Sequence, residues 1–229
     1  MAGYQAHYMQ RFLNYLERSG EHKVIQKLID TVLPPELTKE TGVRVDIVEP
    51  STDLTRNFKA LVARTSSLRD VSFNWNVVSC AEYEKQVKAE EVVKGDLIHM
   101  IQWYYVDDPA ATLKFFHSLL RENGKLLIIH EADEAHSGDT VLWKTFKKEP
   151  CTNTLSDYLS AGDIKVQLDA LELRYEELVA RNARDITECF TEGSRDGEML
   201  LEFMTDRENF QVDGRVLFDC SLSALLIHA

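Results

Sequence analysis

The spacing of apolar residues along the chain predicts strands that alternate with helices. Apolar and polar side chains alternate through residues 43–48 and again through 71–78, as they do along half-buried β-strands. Two nearly continuous apolar runs, 96–102 and 125–131, are typical of strands covered on both faces within a parallel sheet. A further strand is expected over 173–180.

Apolar residues at helical spacing predict helices between these strands. The expected helices cover 6–18, 21–32, 52–64, 82–93, 108–120, 160–171 and 198–207. Pro109 suits the first turn of its helix, and Gly124 is expected just past the end of that helix. The helix over 82–93 carries many charges and is expected to be solvated.

Strands that alternate with helices indicate an α/β fold with a mostly parallel, doubly wound sheet. We expect a single domain over 1–229. Helices in 1–35 precede the sheet, which is expected to occupy 43–229 with insertions. Segments 215–219 and 221–228 are expected to form a terminal antiparallel hairpin.

Composition narrows the range of ligands. The net charge of -12 argues against a surface that tracks nucleic-acid phosphates, and it suits small cationic ligands. The four cysteines, which lack CxxC spacing, are expected to be reduced thiols of a cytoplasmic protein without a metal site. No apolar stretch reaches the ~20 residues that a membrane-spanning helix needs.

The strand over 43–48 leads to a carboxylate at Glu49, followed by Pro50 and by Ser51, which can start a helix. An acid at the carboxyl end of such a strand can accept hydrogen bonds from the two hydroxyls of a nucleoside ribose. Glu49 is therefore a candidate ribose ligand. The alternative is an ordinary solvated carboxylate at the start of a helix.

Several segments strongly resemble the histamine N-methyltransferase family, and the resemblance covers nearly the whole chain. The segments are 96–105, 111–120, Val48–Ser51, Glu21–His22 and the two terminal strands. The resemblance implies the class I methyltransferase fold, S-adenosylmethionine as cofactor, and methyl transfer to an imidazole nitrogen of histamine or a related small cationic amine. It also implies a cytoplasmic, monomeric enzyme without a nucleic-acid or membrane partner.

The resemblance assigns ligand roles to particular residues. The implied cofactor residues are Glu49, Cys80, Ile101 and Gln102, and Cys80 stands where the family has a serine. The implied substrate residues are Glu21, Gln102, Tyr8, Phe12, Tyr15, Tyr104, Tyr105, Trp143, Phe203 and Cys220. Glu21 would attract the ammonium group, and Cys220 replaces a family asparagine. The alternatives are a helix-start acid for Glu21 and core packing for the aromatic residues.

No catalytic side chain is implied. Methyl transfer from a sulfonium to a neutral imidazole nitrogen is an in-line displacement, so the enzyme must position the two reactants and exclude water.

One part of the family's pattern has no counterpart. The family's first strand, its glycine-rich cofactor loop and the following helix would all have to fit within Pro34–Gly42. Nine residues are too few, because a mean strand needs about 5 and a mean helix about 11. The missing strand would be the middle of the sheet. Either the strands that contain Val45 and Ile98 pair directly, or the chain is a truncated or spliced form, or the sequence omits residues.

Two functions from different classes remain. The first is a methyltransferase that acts on histamine or a related imidazole amine. The second is a catalytically impaired relative that has kept the amine pocket as a binding or interaction protein. Leu54 stands where the family has a glutamine, and the glycine-rich loop is missing. Both differences favour weak binding of the cofactor.

Overall fold

The computed structural model describes residues 20, 21, 23–25, 27–29, 31, 43–50, 52–69, 71–89, 95–100, 106, 108–146, 159–198 and 216–229. The strands are β1 (Arg44–Val48), β2 (Ser72–Asn76), β3 (Gly95–Met100), β4 (Leu120–Glu131), β5 (Tyr175–Ala180), β6 (Ala183–Asp185), β7 (Leu217–Asp219) and β8 (Leu222–His228). The helices are α1 (Thr52–Arg64), α2 (Cys80–Ala89), α3 (Pro109–Ser118), α4 (Gly138–Phe146) and α5 (Ala161–Ala170). Residues 21, 23–25, 27–29 and 31 are also helical and are called the N-terminal helical segment.

Six of these strands form one sheet in the order β2-β1-β3-β4-β8-β5. Strands β2, β1, β3 and β4 run parallel, whereas β8 runs antiparallel to both of its neighbours. Strands β6 and β7 pair in a separate small sheet. The predicted α/β fold with a mostly parallel sheet is therefore confirmed.

Strands β1 and β3 pair directly at the place where the family's first strand would lie. The register joins Val45 to Leu97 and Val48 to Met100. The structure shows the direct pairing that the sequence left open as one possibility. The ladder between β1 and β3 replaces the hydrogen bonds that the absent strand would have made, so the middle of the sheet has no open edge.

Apolar side chains cover both faces of the sheet. On one face, α3 and α5 pack against β4 and β8 through residues such as Phe116 and Ile164. On the other face, Leu28 and Ile29 of the N-terminal helical segment pack with Phe58 of α1. Alternate residues of β1 serve the two faces, because successive side chains of a strand point in opposite directions.

Helix α2 is less solvated than its charges suggest. Its Tyr83 is buried, and its ring stacks on that of Phe116 with 5.8 Å between the ring centroids. The expectation of a solvated helix was therefore wrong for this face, where Cys80 and Val87 also pack against the core.

Helix α3 starts as the sequence predicts but ends earlier. The Asp108 side chain accepts a hydrogen bond from the Ala111 amide at 2.9 Å, and Pro109 follows in the first turn. The helix ends at Ser118, and Gly124 lies inside β4 rather than past the helix end, which corrects our expectation. The strand begins at Leu120 because this buried residue pairs with Gly95 of β3.

The two terminal strands are antiparallel to their partners, but they do not pair with each other. Strand β7 pairs with β6, and β8 lies between β4 and β5. The expected hairpin of 215–219 with 221–228 is thus corrected. The apolar run of β8 is almost entirely buried at its interior position in the sheet, which stabilises it more than a solvated hairpin would. Among the described helices, none is long and apolar enough to cross a bilayer.

Candidate functional site

The parallel strands β1, β3 and β4 bring their carboxyl ends to one edge of the sheet. From β1 the chain continues outward to β2, whereas from β3 it continues in the opposite direction to β4. The strand order therefore reverses between β1 and β3, and such a switch point is where α/β sheets bind ligands. We call the space beyond these two strand ends, beside Glu49 and Cys80, the switch-point crevice.

Glu49 follows the last residue of β1 and is fully buried. Its backbone amide donates a hydrogen bond to the carbonyl of Asn76 at 3.0 Å, and the Asn76 side chain donates to the carbonyl of Ile47 at 3.1 Å. These two bonds fix the end of β1 against the end of β2. The carboxylate is held at the switch point, where the sequence predicts it.

Cys80 opens α2 beside Glu49. The pKa of the Cys80 thiol is raised to about 11, mainly by burial and to a smaller extent by the negative charge of Glu49, against a lowering by a backbone hydrogen bond. The thiol is consequently protonated at neutral pH and is a poor nucleophile. The structure thus brings together two of the four residues that the resemblance assigns to the cofactor.

Most of the other predicted site residues cannot be compared with the structure. Ile101, Gln102, Tyr8, Phe12, Tyr15, Tyr104, Tyr105 and Phe203 lie outside the described residues. Trp143 belongs to α4, but its side chain is outside the described part of the chain. Their assigned roles remain predictions.

Glu21 and Cys220, which are far apart in the sequence, line the same small cleft. The cleft, called here the acidic cleft, is lined by Glu21, Glu131, Asp139, Asn182, Arg184, Cys220 and Leu222. These residues come from the N-terminal helical segment, the end of β4, the start of α4, the stretch from the β5–β6 link into β6, and the stretch from the β7–β8 link into β8. In this conformation the space holds about one water molecule.

The acidic cleft contains buried charges. Asp139, Arg184 and Glu131 are all buried, and a guanidinium nitrogen of Arg184 lies 3.1 Å from a carboxylate oxygen of Asp139. The described lining thus carries three carboxylates and one guanidinium, which favours a cationic ligand. The charge run from Glu131 to Glu134 is a pattern typical of a solvated loop, but Glu131 is buried at the end of β4.

Cys220 is tied to Asn182 by two hydrogen bonds. The Asn182 side-chain amide donates to the Cys220 sulfur at 3.1 Å, and the Cys220 backbone amide donates to the Asn182 carbonyl at 3.0 Å. Burial raises the pKa of the Cys220 thiol to about 12, Arg184 lowers it, and Asp139 raises it. The thiol is therefore neutral in the cleft and offers only weak hydrogen bonds.

The acidic cleft and the switch-point crevice are neighbours. The register places Val48 of β1, Met100 of β3 and Ile128 of β4 side by side. Neighbouring strands lie about 4.8 Å apart, so β1 and β4 are separated by roughly 10 Å. A ligand in the cleft would therefore lie roughly 10 Å from a ligand in the crevice.

Sequence reasoning missed Glu131, Asp139, Asn182 and Arg184. Only Glu131 had a usable signal, because it ends a buried parallel strand as Glu49 does. The other three are brought to the cleft by the β6–β7 sheet and by the start of α4, and neither pairing is visible in the pattern of the sequence. No group of three or more metal-ligating side chains is found among the residues that the structure describes.

Comparison with solved structures identifies the class of the fold. A protein of Bacillus halodurans assigned as a methyltransferase matches with a TM-score of 0.51 at 12% identity, covering 86% of this chain and 97% of that one. The mycolic acid cyclopropane synthase CmaA1, whose structure contains SAH and CTAB, matches with a TM-score of 0.50 at 12% identity, covering 89% and 83%. The fold is therefore that of the methyltransferases.

Sequence comparison narrows this class. Histamine N-methyltransferase of Danio rerio is 36% identical over 278 residues, covering 96% of this chain and 94% of the relative. That of Xenopus tropicalis is 34% identical, with 96% and 94% covered. The chain belongs to the histamine N-methyltransferase family. No protein-family model matches it.

The alignments also bear on the absent strand. They span 278 residues of alignment, whereas the chain has 229, and they nevertheless cover 96% of it. The relatives must therefore carry internal segments that this chain lacks. This agrees with the direct pairing of β1 with β3.

Proposed function

We propose that this protein is an S-adenosylmethionine-dependent N-methyltransferase whose acceptor is a small cationic amine with an imidazole ring, as in histamine. The observation that carries the proposal is the meeting of Glu21 and Cys220 in one acidic cleft. The resemblance assigned both residues to the amine, and they come from opposite parts of the sequence. The cleft lies at the edge of the sheet where ligands of such folds bind.

The charges of the cleft suit the two ends of such a substrate differently. The ammonium group is drawn to the carboxylates of Glu21 and Glu131, while Asp139 is engaged by Arg184. An ammonium held there leaves the ring directed away from the carboxylates, so the ring can stay neutral and keep its nucleophilic lone pair. We further propose that Tyr8, Phe12, Tyr15, Tyr104, Tyr105, Trp143 and Phe203 wall the pocket, and that Gln102 contacts both ligands.

The switch-point crevice is the proposed cofactor site. A carboxylate at the end of β1, beside the Cys80 thiol, is an acceptor that fits the two hydroxyls of a ribose. Glu49 would hold the ribose, and Cys80, Ile101 and Gln102 would line the adenosine. When bound, S-adenosylmethionine supplies an electrophilic methyl group. The chain's own part is to orient the amine and to exclude water.

A second function is favoured by two features of the crevice. Direct pairing of β1 with β3 removes about one strand spacing, about 4.8 Å, from the width of the switch point. Glu49 is also fully buried, so a ribose reaches it only after the carboxylate becomes exposed. These features favour an impaired methyltransferase that retains amine binding. We regard residues 1–229 as one domain and the protein as a cytoplasmic monomer.

Two measurements distinguish these functions. Calorimetric titration of histamine into the unmodified chain tests the acidic cleft, and titration of S-adenosylmethionine tests the crevice. Transfer of labelled methyl groups to histamine at ~1–1000 per second would establish the enzyme. Histamine binding without transfer would favour the impaired relative. Absence of histamine binding would overturn both functions.

A further inference from the structure

The hydroxyl of Thr55, at the end of the first turn of α1, is buried without a hydrogen-bond partner. Only 4% of Thr55 is exposed, and no described residue bonds its hydroxyl oxygen. A threonine inside a helix can return its hydroxyl to a carbonyl of the preceding turn, as Thr31 does to Lys27 at 2.6 Å. Thr55 does not, so it keeps a polar group at a place where burial alone favours an apolar one.

The position of Thr55 directs this hydroxyl toward the switch-point crevice. Phe58, on the same side of α1, is buried in the cluster that contains Val45 and Ile47 of β1. Thr55 lies about 4.5 Å nearer the start of the helix than Phe58 does, and the Cα–Cβ bonds of a helix tilt toward its start. Because α1 begins soon after β1 has ended at Glu49, the hydroxyl lies on the Glu49 side of this packing.

The side chain of Glu49 belongs to the same face of the sheet. Val45 and Ile47 face α1, and side chains alternate along a strand, so the next odd position also faces this helix. The hydrogen bond from the Glu49 amide to the Asn76 carbonyl continues the pairing with β2, which carries the alternation on to Glu49. A carboxylate from a strand end and a hydroxyl from a helix start therefore border the crevice together.

Resting on the proposed cofactor site, we infer that Thr55 is a further binding residue for the ribose of the cofactor. A carboxylate only accepts hydrogen bonds, so the oxygen atoms of the two ribose hydroxyls still need a donor when Glu49 holds them. The Thr55 hydroxyl donates to one of these oxygens in the bound state. Thr55 and Glu49 are both buried in the free chain, so one opening of the crevice exposes the two groups together.

Calorimetric titration of S-adenosylmethionine into Thr55→Val tests this contact. Valine keeps the shape of threonine and removes the hydroxyl, so the affinity should fall roughly 2- to 12-fold, as expected for one neutral hydrogen bond. The urea midpoint of the free variant should rise, because a buried hydroxyl without a partner is removed. Thr55→Ser keeps the hydroxyl and should keep the affinity.

Two further ligands locate the contact on the ribose. S-adenosylhomocysteine should lose affinity for Thr55→Val by the same factor as S-adenosylmethionine does. Its analogue without the two ribose hydroxyls should bind Thr55→Val and the unmodified chain equally. Equal losses for both ligands would overturn the assignment of Thr55 to the ribose.

Thr31→Val is the matched control, because it makes the same change in a helix at an exposed hydroxyl that already has a partner. It should leave the cofactor affinity unchanged and should not raise the urea midpoint. An unchanged affinity in Thr55→Val, or a lowered urea midpoint, would overturn this inference and leave the proposed function standing. Failure of the unmodified chain to bind S-adenosylmethionine would overturn the proposed cofactor site and this inference together.

Discussion

The switch-point crevice and the acidic cleft share one edge of the sheet but are built in different ways. The crevice is defined by the spacing of β1 and β3, with Glu49 and Cys80 at the strand and helix ends. The cleft is defined by side chains from five separate segments, between Glu21 and Leu222. A change in strand number therefore alters the first directly. It affects the second less, because every described lining residue except Glu21 comes from an element that follows β3 in the chain.

This difference predicts that the proposed binding of an amine and the proposed binding of a cofactor can be altered separately. Direct β1–β3 pairing narrows the crevice, whereas β4, β8 and the β6–β7 sheet keep the pairing that supports the cleft. Substitutions can therefore be chosen that affect one region without the other. The following four address the two regions from the largest expected effect to the smallest.

The largest effect is expected where the cleft depends on a buried ion pair. Arg184→Met removes the guanidinium and leaves the Asp139 carboxylate buried without its counter-charge. Loss of one partner of a buried pair typically costs about 3–5 kcal/mol. The free energy of unfolding, measured with urea, should fall by that amount.

Two variants control this measurement. Arg184→Met combined with Asp139→Leu removes both charges and should recover most of the lost stability. Lys88→Met breaks an exposed pair with Glu84 and should change the unfolding free energy by less than ~1 kcal/mol. If Arg184→Met were as mild as Lys88→Met, the pair would not be the cleft's main support.

The end of β4 should make stability depend on pH. His130, next to Glu131, is fully buried, and burial lowers its pKa to about 4 from 6.5. Between these values the unfolded chain binds a proton that the folded chain does not. The free energy of unfolding therefore has its full value above pH 6.5. It falls by about 3 kcal/mol as the pH falls toward 4, because protons then bind to the unfolded chain in preference.

The measurement is the unfolding free energy at a series of pH values for the unmodified chain and for His130→Leu. The difference between the two unfolding free energies should change between pH 6.5 and 4, because the other titrating groups contribute equally to both proteins. Parallel curves for His130→Leu and the unmodified chain would show that His130 does not titrate as described.

Glu21 tests the charge of the cleft. Glu21→Gln keeps the size of the side chain and removes its charge, so histamine binding should weaken by about 1.5–3 kcal/mol. The analogue 4-(2-hydroxyethyl)imidazole carries a hydroxyl in place of the ammonium, and its affinity should change far less. Calorimetry of both ligands decides the matter, and equal losses would argue against a charge contact.

The smallest and most selective effect is expected in the crevice. Glu49→Gln should weaken S-adenosylmethionine binding by ~1–3 kcal/mol while histamine binding stays the same. Glu122→Gln, at an exposed position of β4, is the matched control. An unchanged cofactor affinity in Glu49→Gln would remove Glu49 from the ribose site. A parallel loss of histamine binding would show that the two regions are not separable.

Much of the fold could be predicted because it depends on local pattern. The strand over 43–48, the helix over 52–64 and the helix that starts at Ser160 agree with β1, α1 and α5. The wrong predictions concern places where strand pairing decided the structure against the local preference of a residue. Gly124 was placed after a helix because glycine often ends helices, yet the strand β4 begins before it.

The candidate site was only partly predictable. Glu49 had a signal because a strand end and a proline flank it. Asp139 and Arg184 had none, because each becomes a site residue only through a partner distant in the sequence. The arrangement of the cleft depends on which strand β7 pairs with, and the pattern of apolar residues does not specify that choice.

The central place of β8 has a consequence for synthesis. Among the described strands of the six-stranded sheet, β5 pairs with β8 alone, and β8 also covers one side of β4. Both neighbours leave the ribosome before β8, β4 by roughly 5–18 s and β5 by roughly 2–8 s, at ~5–20 residues per second. During that interval the apolar edge of β4 is open to wrong partners. The nascent chain should therefore need a chaperone most strongly between the emergence of β5 and that of β8.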